Sequence, residues 1–212
     1  MDADHWDKVY QSKGADQVSW YEPKAELSLH LIRQSAAPKT SPIIDVGGGA
    51  SQLVDGLVAE GWQDISVVDL SRVALQIAKN RLSRSTCQAG LDNNLPVQWL
   101  VGNITQIDLL KNYFYLWHDR AVFHFLTTQS DQQKYVSQVQ RCLKTGGHLI
   151  LATFALNGPE SCSGLPVVRY DVPHLQAQLG SGFTLISSQH YTHHTPWGAT
   201  QEFIYCHWQK TD

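Results

Sequence analysis

Ile43-Ile44-Asp45-Val46-Gly47-Gly48-Gly49-Ala50-Ser51 is a short apolar run broken by one carboxylate and closed by glycines. Such a run reads as a strand buried on both faces, the kind parallel sheets use. Ser51 offers a cap for a helix running to Glu60, which Gly61 ends. Ile65-Ser66-Val67-Val68-Asp69 is a second strand, and Ser71 caps a second helix with Val73, Leu75, Ile77, Ala78 and Leu82 apolar. The polar stretch Ser83 to Leu95 reads as loop, Val97 to Val101 as a third strand and Tyr113 to Trp117 as a fourth. Gln129 to Leu143 is helical and stops at Thr145-Gly146-Gly147; His148 to Phe154 is a fifth strand. Residues 157–170 form a long loop, and Pro173 to Leu179 a short helix. Phe183 to Tyr191 and Thr200 to Trp208 are a closing strand pair around Pro196-Trp197-Gly198. On the other side of the opening run, residues 38–42 are a connector, and residues 1–35 hold two amphipathic, aromatic helices around Ser12-Lys13-Gly14. Strands alternating with helices predict an α/β fold: a mostly parallel seven-stranded sheet, helices on both faces, and a C-terminal antiparallel strand pair.

The composition narrows the setting. The chain has 212 residues, 42% hydrophobic and 17% charged, with 16 Lys and Arg against 19 Asp and Glu, a net charge of −3. That suits one domain with a substantial core. No apolar run approaches the roughly 20 residues of a membrane helix, and the acidic start Asp2-Ala3-Asp4 is unlike a secretory signal. A mildly acidic chain is a poor general partner for nucleic acid. Cys87, Cys142, Cys162 and Cys206 show no paired spacing. Free thiols and a cytoplasmic location are therefore expected.

The glycine loop is a candidate ligand site. Glycine permits positive φ and close backbone approach, and the helix that follows presents unpaired N–H groups. Asp69, ending the next strand, can accept two hydrogen bonds from ribose hydroxyls. A dinucleotide fingerprint would need a glycine at Gln52. Asp45, two positions before the first glycine, would repel a pyrophosphate and attract a cationic amino-acid tail. Asp45-x-Gly47-x-Gly49 followed by Asp69 resembles the first two motifs of class I S-adenosylmethionine-dependent methyltransferases, over roughly residues 40–155. The resemblance implies a Rossmann-like fold with S-adenosyl-L-methionine as cofactor and S-adenosyl-L-homocysteine as product. It implies Asp45, Gly47 and Gly49 at the methionine part, Asp69 at the ribose, and Leu70 against the adenine. Asn103 would face the adenine amino group, with Ile104 packed on the ring. Ser51 stands where the family has a third glycine.

In that family the end of the fourth strand reaches the methyl group and its acceptor. This places Asp119 and His124 as candidate catalytic groups, Asp119 also near the cofactor; an ion pair of Asp119 with Arg120 is the structural alternative. No Asn/Asp-Pro-Pro-aromatic tetrad of base-methylating enzymes is present. His5 to Tyr10, with Val18-Ser19-Trp20-Tyr21, is similar to the entry segment of a methyltransferase-like branch that includes protein-lysine methyltransferases. Tyr10, Trp20 and Tyr21 would close the site and contact the sulfonium. Expected parts are therefore a helical lid (1–36), a cofactor core (40–155) and a substrate-side segment (156–212). The acceptor is expected to be a small molecule or a protein lysine. Asp119 matches the Asp-Lys-Gly-Thr-like run of the lysine enzymes, but Arg120-Ala121-Val122 departs from it. Adjacent His193 and His194 lack a third ligand at a metal-binding spacing. Cys162 alone does not make the thiol cluster that arsenite methylation needs. A non-catalytic cofactor-binding sensor or partner subunit and an NAD(P)-binding oxidoreductase are the other readings.

Overall fold

The computed structural model describes residues 2–88 and 95–212. Seven strands form one sheet: β1 (Ile43–Val46), β2 (Ile65–Asp69), β3 (Val97–Val101), β4 (Phe114–Arg120), β5 (Leu143–Phe154), β8 (Phe183–His194) and β9 (Thr200–Lys210). A separate two-stranded hairpin, β6 (Ser161–Cys162) with β7 (Leu165–Pro166), lies within the stretch expected to be loop. The sheet order is β3-β2-β1-β4-β5-β9-β8. Strands β1 to β5 pair in parallel, while β9 runs antiparallel to both β5 and β8.

Strand alternation divides the core in two. Ile44, Val46, Trp117, Leu149 and Leu151 pack with α5 (Gln129–Cys142) and α6 (Val172–Leu179). Ile43, Ile65, Leu116, Ile150 and Phe203 pack with α2 (Glu26–Gln34), α3 (Leu53–Ala59) and α4 (Arg72–Gln88). All four residues of β1 are buried, as a central strand covered on both faces requires.

Several boundaries differ from expectation. Helix α4 continues to Gln88, because Ser83, Arg84 and Ser85 are merely its outward side; the expected loop residues 89–94 lie outside the described residues. Strand β8 runs on through His193 and His194. His193 is therefore a buried strand residue, with Nε2 2.7 Å from the Ser19 carbonyl. Strand β4 continues to Arg120, where Tyr113 to Trp117 was expected. Its polar end stays in the sheet because every polar side chain there finds a distant partner.

The N-terminal helix α1 (Ala3–Ser12) lies across the start of α4. Asp7 Oδ1 accepts from Ser71 Oγ at 2.6 Å and from the Val73 N–H at 3.2 Å. A carboxylate from another element thus helps cap α4, a favourable use of its positive end.

Candidate active site

The carboxyl ends of β1, β2, β4 and β5 open onto a cleft with about 740 Å³ of empty space, part of it open to solvent. This is where the strand order reverses between β1 and β4, and open α/β sheets place their ligands there. Gly47 and Gly49 bend the chain out of β1 with φ of 67° and 47°. A Cβ on Gly47 would overlap Val122 Cγ2, and one on Gly49 would sit 3.0 Å from the Tyr10 hydroxyl. The loop is therefore shaped by missing side chains as well as by positive φ.

Asp69 closes β2 at the rim of this cleft. Its Oδ1 accepts from the Ser71 N–H at 2.7 Å, and the Gly49 N–H also bonds to its carboxylate. Burial, with the charges of Asp45 and Asp7 nearby, lifts its carboxyl to about 7 against those hydrogen bonds. Leu70, Gly102 and Ile104 line the wall beside it. Asn103 forms a turn instead: its Oδ1 accepts from the Thr105 N–H at 3.0 Å and the Thr105 hydroxyl at 2.9 Å. Its carbonyl, the atom expected to meet the adenine amino group, is committed to Thr105, leaving the amide N–H₂ as the group to offer a ligand.

A second cleft of about 560 Å³ lies on the other side of the glycine loop and shares Tyr10, Trp20, Gly47 and Arg120 with the first. Asp45 faces it, with Oδ1 2.7 Å from His118 Nδ1. His118 Nε2 is 2.9 Å from Ser28 Oγ. The buried chain Asp45–His118–Ser28 joins β1, β4 and α2.

The N-terminal segment meets the glycine loop. Trp20 Nε1 donates to Tyr10 Oη at 3.1 Å, and the Ala50 N–H reaches the same oxygen. Trp6 packs edge-on against Trp20 and Phe125, with centroids 5.7 and 5.1 Å apart. Tyr10, Trp20, Asp45, Gly47, Gly49, Asp69, Leu70 and Ile104 thus gather around one loop. Tyr21 borders the second cleft and accepts from Gln52 Nε2 at 3.3 Å.

Asp119 and His124 are placed elsewhere, a correction to their expected position beside the acceptor. Successive strand residues face opposite ways. Asp119 therefore turns to the α5 side while His118 and Arg120 turn to the other. Asp119 is 0% exposed. Its carboxylate accepts from Tyr135 Oη at 2.6 Å and from the N–H groups of Val122 and Phe123 at 2.8 and 3.2 Å. It anchors the turn after β4 and is a positioning group. Burial lifts its carboxyl to about 7, against those three bonds. Arg120 pairs with Glu22 at 3.0 Å, not with Asp119. His124 is also fully buried. Its Nδ1 accepts from the Phe154 N–H at 3.3 Å, and burial, with Arg120 nearby, lowers it to about 3, so it stays neutral. Replacing Tyr135 by Phe removes one of the three donors to Asp119, whose ionised form then lies buried with less support. The expected cost is about 1–3 kcal/mol, read as a lower urea midpoint at unchanged slope; an unchanged midpoint would contradict this role.

The structure adds residues that sequence reasoning missed: Trp6, Phe125, Phe154 and Phe203 in the wall of the first cleft, His118 and Glu22 in the second, and Arg120 in both. Aromatic residues spread over 200 positions carry no local signal. The register of β4 is the one clue, since His118 and Arg120 share a face.

Comparison with known proteins agrees with this layout. The methyltransferase-domain family matches residues 44–151, just over half of the chain. A curated relative, the eEF1A lysine and N-terminal methyltransferase of Mus musculus, is 24% identical over 159 residues, covering 72% of this chain and 21% of the relative. The chain thus spans about a fifth of that relative's length. A solved structure from work on conversion of a disulfide bond into a thioacetal group during echinomycin biosynthesis superimposes with a TM-score of 0.77 at 14% identity, covering 99% of this chain and 93% of that one. The 1,6-didemethyltoxoflavin-N1-methyltransferase of Burkholderia thailandensis, solved with bound 1,6-didemethyltoxoflavin and S-adenosylhomocysteine, gives a TM-score of 0.69 at 16% identity, covering 97% of this chain and 82% of that one. At such identities the solved structures speak to the Rossmann-like fold. With the family match running from within β1 to within β5, across the glycine loop and the strands that frame the cleft, this chain belongs to the methyltransferase-domain family.

Proposed function

We propose that the protein is an S-adenosylmethionine-dependent methyltransferase whose methyl acceptor, a small molecule or a protein side chain, enters the aromatic end of the cleft. The observation that carries this reading is the pairing of Asp45 and Asp69 around a glycine loop whose backbone stands open to a ligand. The donor set fits this cofactor. Two carboxylates beside the loop suit an ammonium, a sulfonium and ribose hydroxyls, and would repel a phosphate. S-adenosylmethionine supplies, when bound, a methyl group on a positively charged sulfur.

The residues divide the remaining work. Asp69 accepts from ribose hydroxyls. Leu70 and Ile104 give apolar walls for the adenine, and Asn103 offers its amide donor to a ring nitrogen. Asp45, held by His118, receives the ammonium of the amino-acid tail. Tyr10 and Trp20, tied to each other and to the loop, cover the reacting region and exclude water, so the helices of residues 1–36 act as a lid. Asp119 keeps the turn after β4 in place. Methyl transfer is an in-line displacement, and positioning is the protein's main contribution to it.

Calorimetric titration tests the reading. Micromolar binding of S-adenosylmethionine and S-adenosylhomocysteine, without binding of NAD or NADP, is expected; silence with the first pair would overturn it. Methylation turnover separates an enzyme from a sensor. A pH series adds a signature. Ribose donors favour ionised Asp69, so a carboxyl near 7 must lose its proton on binding. Affinity for S-adenosylhomocysteine should fall about tenfold at pH 6 relative to its plateau at pH 8, and the Asp69→Asn variant should show a flat profile. Without ligand the sign is opposite: a folded-state value above the unfolded one adds stability that is lost as pH rises through about 7.

We also place the protein in the cytoplasm. Support comes from its four cysteines, which are free thiols, with Cys142, Cys162 and Cys206 buried.

A further inference from the structure

Beyond the ribose end, the cleft wall is formed by Trp6, Trp20, Phe125, Phe154 and Phe203, with Cys162 from the hairpin. Burial pushes the Cys162 thiol up, and its Sγ lies 3.8 Å from Ser19 Oγ. It is wall, not nucleophile. The charged group on this wall is Arg120, whose guanidinium lies 4.9 Å from the Phe203 ring centroid. Its Nε donates to Tyr205 Oη at 2.8 Å, Nη1 to the Trp20 carbonyl at 2.9 Å and Nη2 to Glu22 Oε1 at 3.0 Å. Guanidinium has five N–H donors, so two remain beyond these three partners among the described residues. Glu22 borders the second cleft, not this one. It is shared with His193, whose Nδ1 is 3.5 Å away. Against its burial, His193 and Arg120 hold its carboxyl below the ordinary range.

From this we infer that the acceptor is a small, flat, apolar molecule that reacts as an anion, through a thiolate, phenolate or carboxylate, and that Arg120 holds its charge. The inference rests on the methyltransferase reading and names its substrate class.

The chemistry of amines points the same way. A lysine ammonium has an ordinary pKa of about 10.4 and must lose a proton before it attacks. Among the described residues lining this cleft, the one carboxylate is Asp69, at the ribose end. Asp119 faces the other side of the sheet. His124 does not line the cleft, and its one bonded ring nitrogen already accepts from Phe154. Burial holds the Tyr10 phenol far above its usual value, so it remains protonated. An ammonium would therefore meet a guanidinium and no base. An anion needs neither. Its lone pair forms the bond to the methyl carbon, the carbon–sulfur pair returns to sulfur, and both charges vanish with no proton to move. Flat aromatic walls suit a flat acceptor.

The test is binding to the protein–S-adenosylhomocysteine complex, measured by calorimetry with benzoate, 4-nitrophenol and 4-nitrothiophenol above their pKa values, and with benzylamine and N-acetyl-lysine methylamide. At least one anion should bind and the amines should not. In Arg120→Gln, anion affinity should fall about tenfold to hundredfold, and by clearly more than affinity for S-adenosylhomocysteine, which loses only the support of the Trp20 carbonyl. If Arg120→Gln fails to fold because Glu22 is left unpaired, the double variant Glu22→Gln/Arg120→Gln leaves neither charge buried alone and is read in the same way. Mass spectrometry of turnover with S-adenosylmethionine then tells sulfur from oxygen acceptors. Binding or methylation of the amines instead, no binding of any anion, or loss of S-adenosylhomocysteine rather than anion affinity in the Arg120 variants would overturn the inference. Failure of the wild type to bind S-adenosylhomocysteine removes the methyltransferase reading itself, a result distinct from the others.

Discussion

Replacing Asp69 by Ala is expected to weaken S-adenosylhomocysteine binding by about 100-fold or more at pH 8, as read by calorimetry. Two ribose hydroxyls bonded to one carboxylate make two charge-assisted hydrogen bonds. Each contributes about 1.5–3 kcal/mol net, so their joint loss spans about two to four orders of magnitude. The carboxylate also accepts from the Ser71 and Gly49 N–H groups, which the variant leaves without this acceptor. The glycine loop therefore loosens at the place where the ligand must sit. The Asn variant separates the two effects. Its amide oxygen still accepts but carries no charge, so an intermediate loss of about tenfold is expected. Near-ultraviolet circular dichroism confirms that each variant is folded. Unchanged affinity in folded Asp69→Ala would sink the ribose assignment.

The second large effect is expected at Gly47. An alanine there meets two obstacles at once. Its φ of 67° costs an L-residue roughly 1–2 kcal/mol, and its Cβ would overlap Val122 Cγ2, an overpacking that costs about 1–3 kcal/mol. Together these predict about 2–5 kcal/mol of destabilisation. For a chain of this length that lowers Tm by roughly 5–15 °C, and differential scanning calorimetry reads it. Combining the change with Val122→Ala removes the overlap and leaves the backbone strain. The double variant should therefore recover about half of the loss, a non-additivity expected of touching residues. If it recovers none, the clash is not the cause. Both variants act on the same loop but report differently: Asp69 on ligand affinity, Gly47 on the fold that presents it.

The contrast between β1 and β4 explains how much was legible in advance. In β1 every feature is local. The apolar residues, the glycines and the helix after them lie within a dozen positions, so strand, turn and helix follow from sequence neighbours. In β4 the last residues are His118, Asp119 and Arg120, which lie beyond the strand expected over Tyr113 to Trp117 because polar residues in a row do not signal a buried strand. They stay there because Ser28 and Asp45 meet His118, Tyr135 meets Asp119, and Glu22 and Tyr205 meet Arg120. None of those partners can be found by spacing. Strand alternation sends Asp119 to the α5 face, where it meets Tyr135, while its neighbours His118 and Arg120 face the other way. Asn103 shows a milder case: its position between Gly102 and Ile104, which line the cleft, was legible, but its bond to Thr105 was not.

Residue order alone was enough for the α/β class, the succession of the seven sheet strands and the main helices, the glycine loop and the acid that ends the second strand. These depend on periodicity and on residue types a few positions apart, which the backbone reads locally. Folding was needed to show which polar side chains face the cleft, and that an arginine rather than a carboxylate stands at its aromatic end. Those outcomes depend on strand register and on partners about a hundred residues away, where burial requires every charge to find its complement.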